Sequence, residues 1–420
     1  MNRSIAPNYS QPESLAIQFP EEIELANGVQ LFWTKDVKDD SVKLDIEWRA
    51  GSKYQSKKLV ANFTNKLMLS GNEDRPASAI ASEIDYYGGY LQHELDRDHA
   101  GIVLYGLREN ISDVFRIVTE AFSAASFPQK QFEKERTVAS MSFKIESKKV
   151  KNLCQRRFNK AIFGKESVYG QSAVEEDFTA VEQEDLKTFY KEVYQQGTPT
   201  LFLVGNVTES FIEQLKKWAE NFSPKTINYT PNAPEQEKGR IANIEVEDAI
   251  QSAIRVGRLM FKKTHPDYFG FQLLNTVLGG YFGSRLMANI REDKGYTYGI
   301  GSDMAVMEDA AYFLISTEVG IDVREQTIQE IFNEIERLQT ELISEEELLK
   351  VKNYLLGDFL RHADGPIAMM ENFKNIHFNL LPKTYYSDFI QAIHNTTAAE
   401  LQNLAIKYLQ RDDLTVVTAG

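Results

Sequence analysis

The 420-residue chain repeats one order of predicted elements in its two halves. In the first half, the apolar residues Val42, Leu44, Ile46 and Trp48 alternate with polar ones, and this period of two indicates a strand. Residues 250–261 are the counterpart in the second half. A helix, a glycine turn, a further strand, long amphipathic helices and a closing strand follow in both, and the closing strands are at 200–207 and 414–420. The repeat predicts two domains of similar topology.

A break in composition separates the two halves at residues 222–240, which contain three prolines and no apolar periodicity. This segment is typical of a linker. We therefore predict one domain at 1–221, a linker at 222–240 and a second domain at 241–420. Strands are too numerous for a doubly wound sheet, and no dinucleotide-binding fingerprint occurs. The fold class predicted is α+β, with helices on one face of a mainly antiparallel sheet in each domain.

Charge and cysteine content exclude several classes of function. The chain has 47 basic and 61 acidic residues and a net charge of −14, which argues against nucleic acid as a partner. It is compatible with cationic or neutral peptides. The single cysteine, Cys154, excludes a disulfide framework and a thiolate zinc cluster. With no signal-peptide pattern and no apolar run of 18 residues, we expect a cytoplasmic protein without a membrane partner.

Two segments of the first half frame a metal motif whose ligands are missing. Residues 51–71 read GSKYQSKKLVANFTNKLMLSG, and residues 135–143 read ERTVASMSF. This framing resembles the pitrilysin/insulinase family of zinc peptidases, in which H-x-x-E-H on a helix and a distal glutamate bind the metal. In this chain the corresponding four positions are Asn62, Asn65, Lys66 and Ser142.

None of these four side chains suits zinc, which takes imidazole, thiolate or carboxylate ligands. The ammonium of Lys66 has no lone pair while charged, and an amide such as Asn65 is not a general base near neutral pH. We therefore predict no metal and no other cofactor in this chain. His93 near Asp96 and Asp98 suggests a metal cluster, although a solvated loop is the favoured interpretation there.

A second segment, VLGGYFGSRLMANIREDKGYTYGIG at 277–301, is similar to the family's C-terminal-domain motif. In that motif an arginine is followed seven residues later by a tyrosine, here Arg291 and Tyr298. Residues 284–293 are predicted to form a helix with Arg291 in its last turn, and Lys294-Gly295 gives a left-handed stop. The resemblance implies that Arg291 holds a substrate carbonyl and that the Tyr298 phenol donates to the oxyanion of the tetrahedral intermediate.

Purely structural interpretations of this segment remain open. Arg291 could pair with a surface carboxylate, and Tyr298 could be half-buried packing. Tyr296 is the rival tyrosine, but its spacing is five. A further departure from active members is Gln92-His93 in place of Asn-Ala, on the edge strand that the resemblance assigns to the substrate backbone.

Three hypotheses for function follow. In the first, the chain is the zinc-less subunit of a two-chain peptidase, related to mitochondrial processing peptidase subunits. It supplies Arg291 and Tyr298 to a partner that carries zinc and H-x-x-E-H, and the pair hydrolyses a peptide substrate. In the second, it is a non-catalytic peptide-binding or assembly protein, like the core subunits of respiratory complexes in this superfamily. In the third, it is an enzyme with an unrelated site. The resemblance implies two homologous domains arranged as a clamshell in every case.

Overall fold

The structure, a computed structural model, describes residues 18–35, 37–72, 74–222, 229–239 and 241–420. Its strands are β1 (Glu21–Glu24), β2 (Gln30–Thr34), β3 (Ser41–Trp48), β4 (Tyr90–Leu95), β5 (Ala100–Leu107), β6 (Thr200–Val204), β7 (Ile241–Ile244), β8 (Gln251–Met260), β9 (Ile300–Val306), β10 (Ala311–Gly320) and β11 (Thr415–Ala419).

Of the α-helices in the described residues, eight lie in the first half of the chain and six in the second. They are α1 (Val60–Leu67), α2 (Ala77–Tyr86), α3 (Ile111–Ser123), α4 (Gln129–Glu146), α5 (Val150–Phe163), α6 (Asp177–Ala180), α7 (Gln183–Phe189), α8 (Glu209–Ala219), α9 (Tyr268–Asn275), α10 (Arg324–Thr340), α11 (Glu345–His362), α12 (Pro366–Phe378), α13 (Tyr385–Asn395) and α14 (Ala398–Tyr408). Within the described residues, no helix is long and apolar enough to cross a membrane.

The strands form two sheets with the same central order, which confirms the α+β fold and its repeat. The first sheet has the order β1-β2-β6-β3-β5-β4, and the second has β7-β11-β8-β10-β9. The run β6-β3-β5-β4 therefore corresponds to β11-β8-β10-β9. One pair in each sheet is parallel (β2 with β6, β7 with β11), and the other pairs are antiparallel. Of the linker predicted at 222–240, residues 223–228 and 240 lie outside the described residues, and the domain bounds stay a prediction.

The main core of each half lies between its sheet and its own helices. In the first half, apolar residues of β3 and β5, such as Leu44 and Leu104, pack with α3 and α8. In the second half, Val256 and Phe313 pack with residues of α9, α10 and α14. Buried apolar surface stabilises a fold by about 25 cal/mol per Å², so these two clusters supply the main stabilisation of the two halves.

The two halves also exchange one helix each, which the sequence pattern does not predict. Helix α5 of the first half packs on β8 and β11 of the second sheet, where Cys154 and Phe158 are buried with Ala253 and Val417. Helix α12 of the second half packs on β6 of the first sheet, with Phe373 against Phe32 and Phe202. The second face of each sheet is thus partly covered by the opposite half, and the halves are interlocked.

A buried ion cluster joins the hairpin tips of the two sheets. It consists of Lys53, Asp98, Glu308 and Asp309, which we call the interdomain ion cluster. The Lys53 ammonium lies 3.0 Å from the Asp98 carboxylate, 3.1 Å from that of Asp309, and in contact with Glu308. The Glu308 backbone N–H donates to Asp98 at 2.9 Å. The β4–β5 turn is therefore fixed against the β9–β10 turn by charge and by hydrogen bonds.

The Glu308 carboxyl gives this cluster a defined dependence on pH. Burial would raise the pKa of Glu308, but hydrogen bonds and charge from His99 and Lys53 outweigh it and lower the pKa to about 2 from the ordinary 4.5. Because the folded-state pKa is lowered, the stabilisation is complete above about pH 4.5 and is lost as the pH falls towards 2.

We expect Glu308→Gln to lower the free energy of unfolding at pH 7 by about 1–3 kcal/mol, since a charged acceptor is lost. The difference from the wild type should shrink between pH 4.5 and pH 2, measured by denaturant unfolding at several pH values. Glu166→Gln is the matched control, because that side chain is 76% exposed. A difference that stays constant over this range would contradict the assignment to Glu308.

Candidate functional site

Three of the four positions in the metal-motif register line one cavity. Asn62 and Lys66, one turn apart on α1, face a cavity of about 850 Å³ that Ser142 on α4 also lines. Asn65 points the other way and is buried. Its amide donates to the carbonyl of Gly101 at 3.1 Å and to the hydroxyl of Tyr194 at 3.3 Å. The positions that correspond to the metal motif therefore do bring side chains of α1 and α4 together around one cavity.

The residues around this cavity do not fit zinc. The Lys66 ammonium forms an ion pair with Glu135 of α4 at 2.5 Å, so it is charged and has no lone pair for a metal. The amide of Asn62 and the hydroxyl of Ser142 are weak neutral ligands. The carboxylate in the cavity wall belongs to Asp96, and it accepts the backbone N–H groups of Asp98 and His99 at 2.7 Å each. The Lys66–Glu135 pair links α1 to α4 by a direct ionic contact.

The suggested cluster of His93, Asp96 and Asp98 does not form within the described part of the chain, where Asp98 comes together with Glu308 and Asp309 instead. Burial lowers the pKa of His93 to about 4, opposed by a hydrogen bond to the backbone of Asn65, so its ring is neutral at pH 7. Asp98 lies instead in the interdomain ion cluster, where it is buried. The favoured interpretation of a solvated loop is therefore wrong for Asp98.

The interdomain ion cluster is also not an open metal site. Oxygen atoms of Asp98, Glu308 and Asp309 lie within 4.8 Å of one another, a spacing that a cation can bridge. The Lys53 ammonium already lies among them and contacts all three. The cation that these carboxylates need is therefore supplied by the chain.

The second half places Arg291 and Tyr298 beside each other on the surface. Arg291 is in the last turn of a π-helical segment, Met287–Asp293, and Gly295 has the left-handed φ of 66° that the sequence predicts for the stop. The Arg291 Nε donates to the backbone carbonyl of Tyr298 at 3.1 Å. The guanidinium carbon lies 4.5 Å from the centre of the Phe282 ring, within the range of a cation–π contact.

The exposure and contacts of the two side chains bear on the non-functional interpretations of Arg291 and Tyr298. Tyr298 is 98% exposed, so it is not half-buried packing, and its phenol projects into solvent. Tyr296, the rival, packs against the core of the second half. Arg291 has Glu292 at 3.9 Å, a loose surface pair. Neither Arg291 nor Tyr298 lines the cavity at α1 and α4.

The edge strand lies where the sequence places it. Among the described strands, β4 pairs with β5 alone and ends the first sheet, and its Gln92 is exposed while His93 points towards α1. The last residue of β4, Leu95, lines the 850 Å³ cavity. An extended peptide added to β4 would thus run along the sheet edge and reach the cavity.

Two features of the site have no signal in the sequence. Glu135, the partner of Lys66, is one of many glutamates on predicted helices, and only the packing of α4 against α1 brings them together. Phe282, under the Arg291 guanidinium, lies nine residues earlier in a loop. A glycine-rich loop beside the arginine motif predicts proximity, but not which ring contacts the guanidinium.

Comparison with known proteins defines the class of this fold and site. Residues 32–190 match the model of the insulinase family, peptidase family M16, and residues 180–355 match that of the peptidase M16 inactive domain. The chain belongs to this insulinase/pitrilysin family, as its sequence resemblance predicts.

Individual relatives are distant but match over most of their length. An uncharacterized zinc protease of Bacillus subtilis, YmxG, is 22% identical over 353 residues, covering 83% of this chain and 86% of the relative. The mitochondrial-processing peptidase subunit beta of Dictyostelium discoideum is 23% identical over 450 residues, covering 100% and 92%. The solved peptidase M16 inactive domain from Pseudomonas fluorescens superposes with a TM-score of 0.85 at 21% identity, covering 96% and 98%. The last of these supports the fold alone.

Proposed function

We propose that this chain is the non-zinc-binding subunit of a two-chain metallopeptidase, which supplies Arg291 and Tyr298 to the active site of a zinc-bearing homologous partner. The alternative is a non-catalytic peptide-binding or assembly protein of the same family. The proposal depends on one contrast. The motif position Lys66 forms an ion pair with Glu135 and cannot bind zinc. The arginine and tyrosine of the second motif, in contrast, are adjacent and exposed to solvent.

The geometry of the second motif suits a donor site completed by another molecule. The Tyr298 backbone is fixed by the Arg291 guanidinium, while the phenol itself is free to donate. The Phe282 ring lies against one face of the guanidinium, and the terminal nitrogens of Arg291 are the groups that would donate to a substrate carbonyl. Once a partner encloses them with the substrate, two donors of this kind would stabilise charge that develops on a carbonyl oxygen during peptide hydrolysis.

The partner must supply what this chain lacks. A zinc site of the H-x-x-E-H type provides an activated water and a glutamate as general base. The Dictyostelium relative is the beta subunit of a processing peptidase. This supports a division of the two motifs between chains, in which the Arg/Tyr pair remains useful after the metal ligands are lost.

The experiment is a titration of this chain into a purified H-x-x-E-H homologue from the same organism, with hydrolysis of fluorogenic peptides as the readout. We expect no cleavage by this chain alone and a rate that rises until the two chains are equimolar. A binding partner that gains no activity would favour the assembly protein. Cleavage by this chain alone would contradict the proposal outright.

A further inference from the structure

The cavity at α1 and α4 has a charge pattern opposite to that of the whole chain. Of the described residues, three basic ones line it, Lys58, Lys66 and Arg97, against one acidic residue, Asp96. The chain as a whole has 61 acidic and 47 basic residues. The Asp96 carboxylate accepts two backbone N–H groups at 2.7 Å through its Oδ1 and keeps its negative charge. Cations therefore outnumber carboxylates in the lining.

The acidic partners of the two lysines do not line the cavity. Glu135 pairs with Lys66 and has a side chain only 15% exposed, and Asp177 lies 3.5 Å from Lys58. Neither carboxylate belongs to the lining. Each lysine thus lines the cavity while its carboxylate partner does not.

Arg97 adds a cation that is paired with carbonyl groups. Its guanidinium donates to the backbone carbonyls of Val168 at 3.3 Å and Gln171 at 3.2 Å. These contacts fix the side chain without cancelling its charge. Hydroxyl and amide groups complete the polar part of the wall, from Ser52, Ser56, Asn62, Ser142 and Ser172. These groups can donate further hydrogen bonds to an anion.

The shape of the site indicates a peptide. The cavity begins where the edge strand β4 ends at Leu95, and an edge strand offers unpaired main-chain groups to an extended peptide. Its volume of about 850 Å³ is in the range of sites that bury a whole ligand group. Apolar residues of the same lining, Leu59, Val138 and Phe143 among them, would contact the aliphatic part of a side chain.

We infer that this chain binds extended acidic peptides, with β4 pairing the peptide backbone and the cations of the cavity holding a carboxylate, at the position where active relatives hold their metal. The carboxylate is either an Asp or Glu side chain or the peptide's own C-terminus. This binding requires no partner chain and no catalysis. Its failure would leave the proposed two-chain function untouched, and the reverse also holds.

The test measures the affinity of the isolated chain for labelled ten-residue peptides by fluorescence anisotropy. One peptide carries a single Glu, a second has Gln at that position, and each is made with a free or an amidated C-terminus. Near 0.15 M salt the Debye length is about 8 Å, so repulsion from the distant acidic surface is screened. We expect the Glu peptide to bind about 5- to 10-fold more tightly than the Gln peptide, as for a charged hydrogen bond. If only the free C-terminus gives this preference, the terminal carboxylate is the ligand.

Two variants of one ion pair distinguish binding from a purely structural role. Lys66→Gln should reduce the preference for the Glu peptide, because it removes one of the three cations of the wall. Glu135→Gln should strengthen that preference by about threefold or more, because the freed ammonium gains a new carboxylate partner. A structural role alone would make both variants weaken binding alike, since both break the same pair. Lys134→Gln, an exposed residue of the same helix, is the matched control.

A third variant tests the same inference if the first two variants fail to fold. Ser142→Asp adds a carboxylate to the wall at an exposed position without breaking the Lys66–Glu135 pair. It should lower the affinity for the Glu peptide and leave that for the Gln peptide unchanged. Equal affinity of the wild-type chain for the two peptides, or equal losses in Lys66→Gln and Glu135→Gln, would overturn the inference.

Discussion

Tyr298→Phe is expected to lower the turnover of the reconstituted two-chain complex by about 100- to 1000-fold, the usual cost of one oxyanion donor. The substitution removes only the phenolic hydroxyl. Because that ring is 98% exposed and the contact with Arg291 is made by the backbone carbonyl, the fold and the position of the loop should be unchanged. Initial rates over a range of substrate concentrations would separate the effect on kcat from that on KM.

Tyr296→Phe is the matched control for this prediction. It removes the same hydroxyl from a tyrosine two residues earlier that packs against the core, and turnover should stay within about twofold of the wild type. Arg291→Ala should raise KM as well as lower kcat, because it removes both the donor to substrate and the anchor of the Tyr298 loop. If Tyr298→Phe and Arg291→Ala both stay within about twofold of the wild type, complementation is contradicted and the assembly protein becomes the better account.

Lys53→Met is expected to destabilise the chain by about 3–5 kcal/mol, the range for removing one partner of a buried ion pair. The ammonium lies among three carboxylates whose oxygens are within 4.8 Å of one another. Methionine keeps the length and apolar part of the side chain, so the loss comes from uncompensated negative charge rather than from a cavity. Denaturant unfolding at pH 7 measures the change.

The pH dependence of this variant gives an independent check. Protonation of Glu308 in acid removes one of the negative charges that repel one another in the cluster, so the difference from the wild type should become smaller as the pH falls. Lys165→Met is the control, because Lys165 is exposed on the surface, and it should leave the stability unchanged. A loss in Lys53→Met no larger than in this control would show that the interdomain ion cluster does not hold the halves together.

Patterns local in sequence predicted most of the fold. The alternation at 42–48 marks β3, the proposed counterpart at 250–261 contains β8, and the amphipathic periods mark α3 and α10. Each of these signals arises within one element, because side chains repeat every two residues in a strand and about every 3.6 in a helix. Duplication then predicted the shared strand order of the two sheets.

The exchange of helices had no such signal. The polar residues of β3, Lys43, Asp45 and Glu47, alternate as a solvated face would, yet they are buried under α12. Lys374 of α12 pairs with the carboxylates of Asp45 and Glu47 from a position more than 300 residues away. An amphipathic pattern shows that a helix buries one face, but it does not say which sheet covers that face.

The candidate site likewise has features that a local sequence signal predicts and contacts that only tertiary packing creates. The seven-residue spacing and the Gly295 stop predicted that Arg291 and Tyr298 lie together, because both signals are local. Asn62, Lys66 and Ser142 were identified only through family resemblance, as positions of missing metal ligands, and the cavity that they share is seen only in the fold. The contacts of Lys66 with Glu135 and of Lys53 with Glu308 depend on tertiary packing, and nothing in one sequence distinguishes these acids from their neighbours.

The zinc content of the active complex, measured by elemental analysis after removal of loosely bound metal, tests the central claim most directly. A subunit that has lost its ligands at Asn62, Asn65, Lys66 and Ser142 but completes a partner's site predicts one zinc per pair of chains. It also predicts no zinc in this chain when it is purified alone. One tightly held zinc per isolated chain, or two per active pair, would contradict the account.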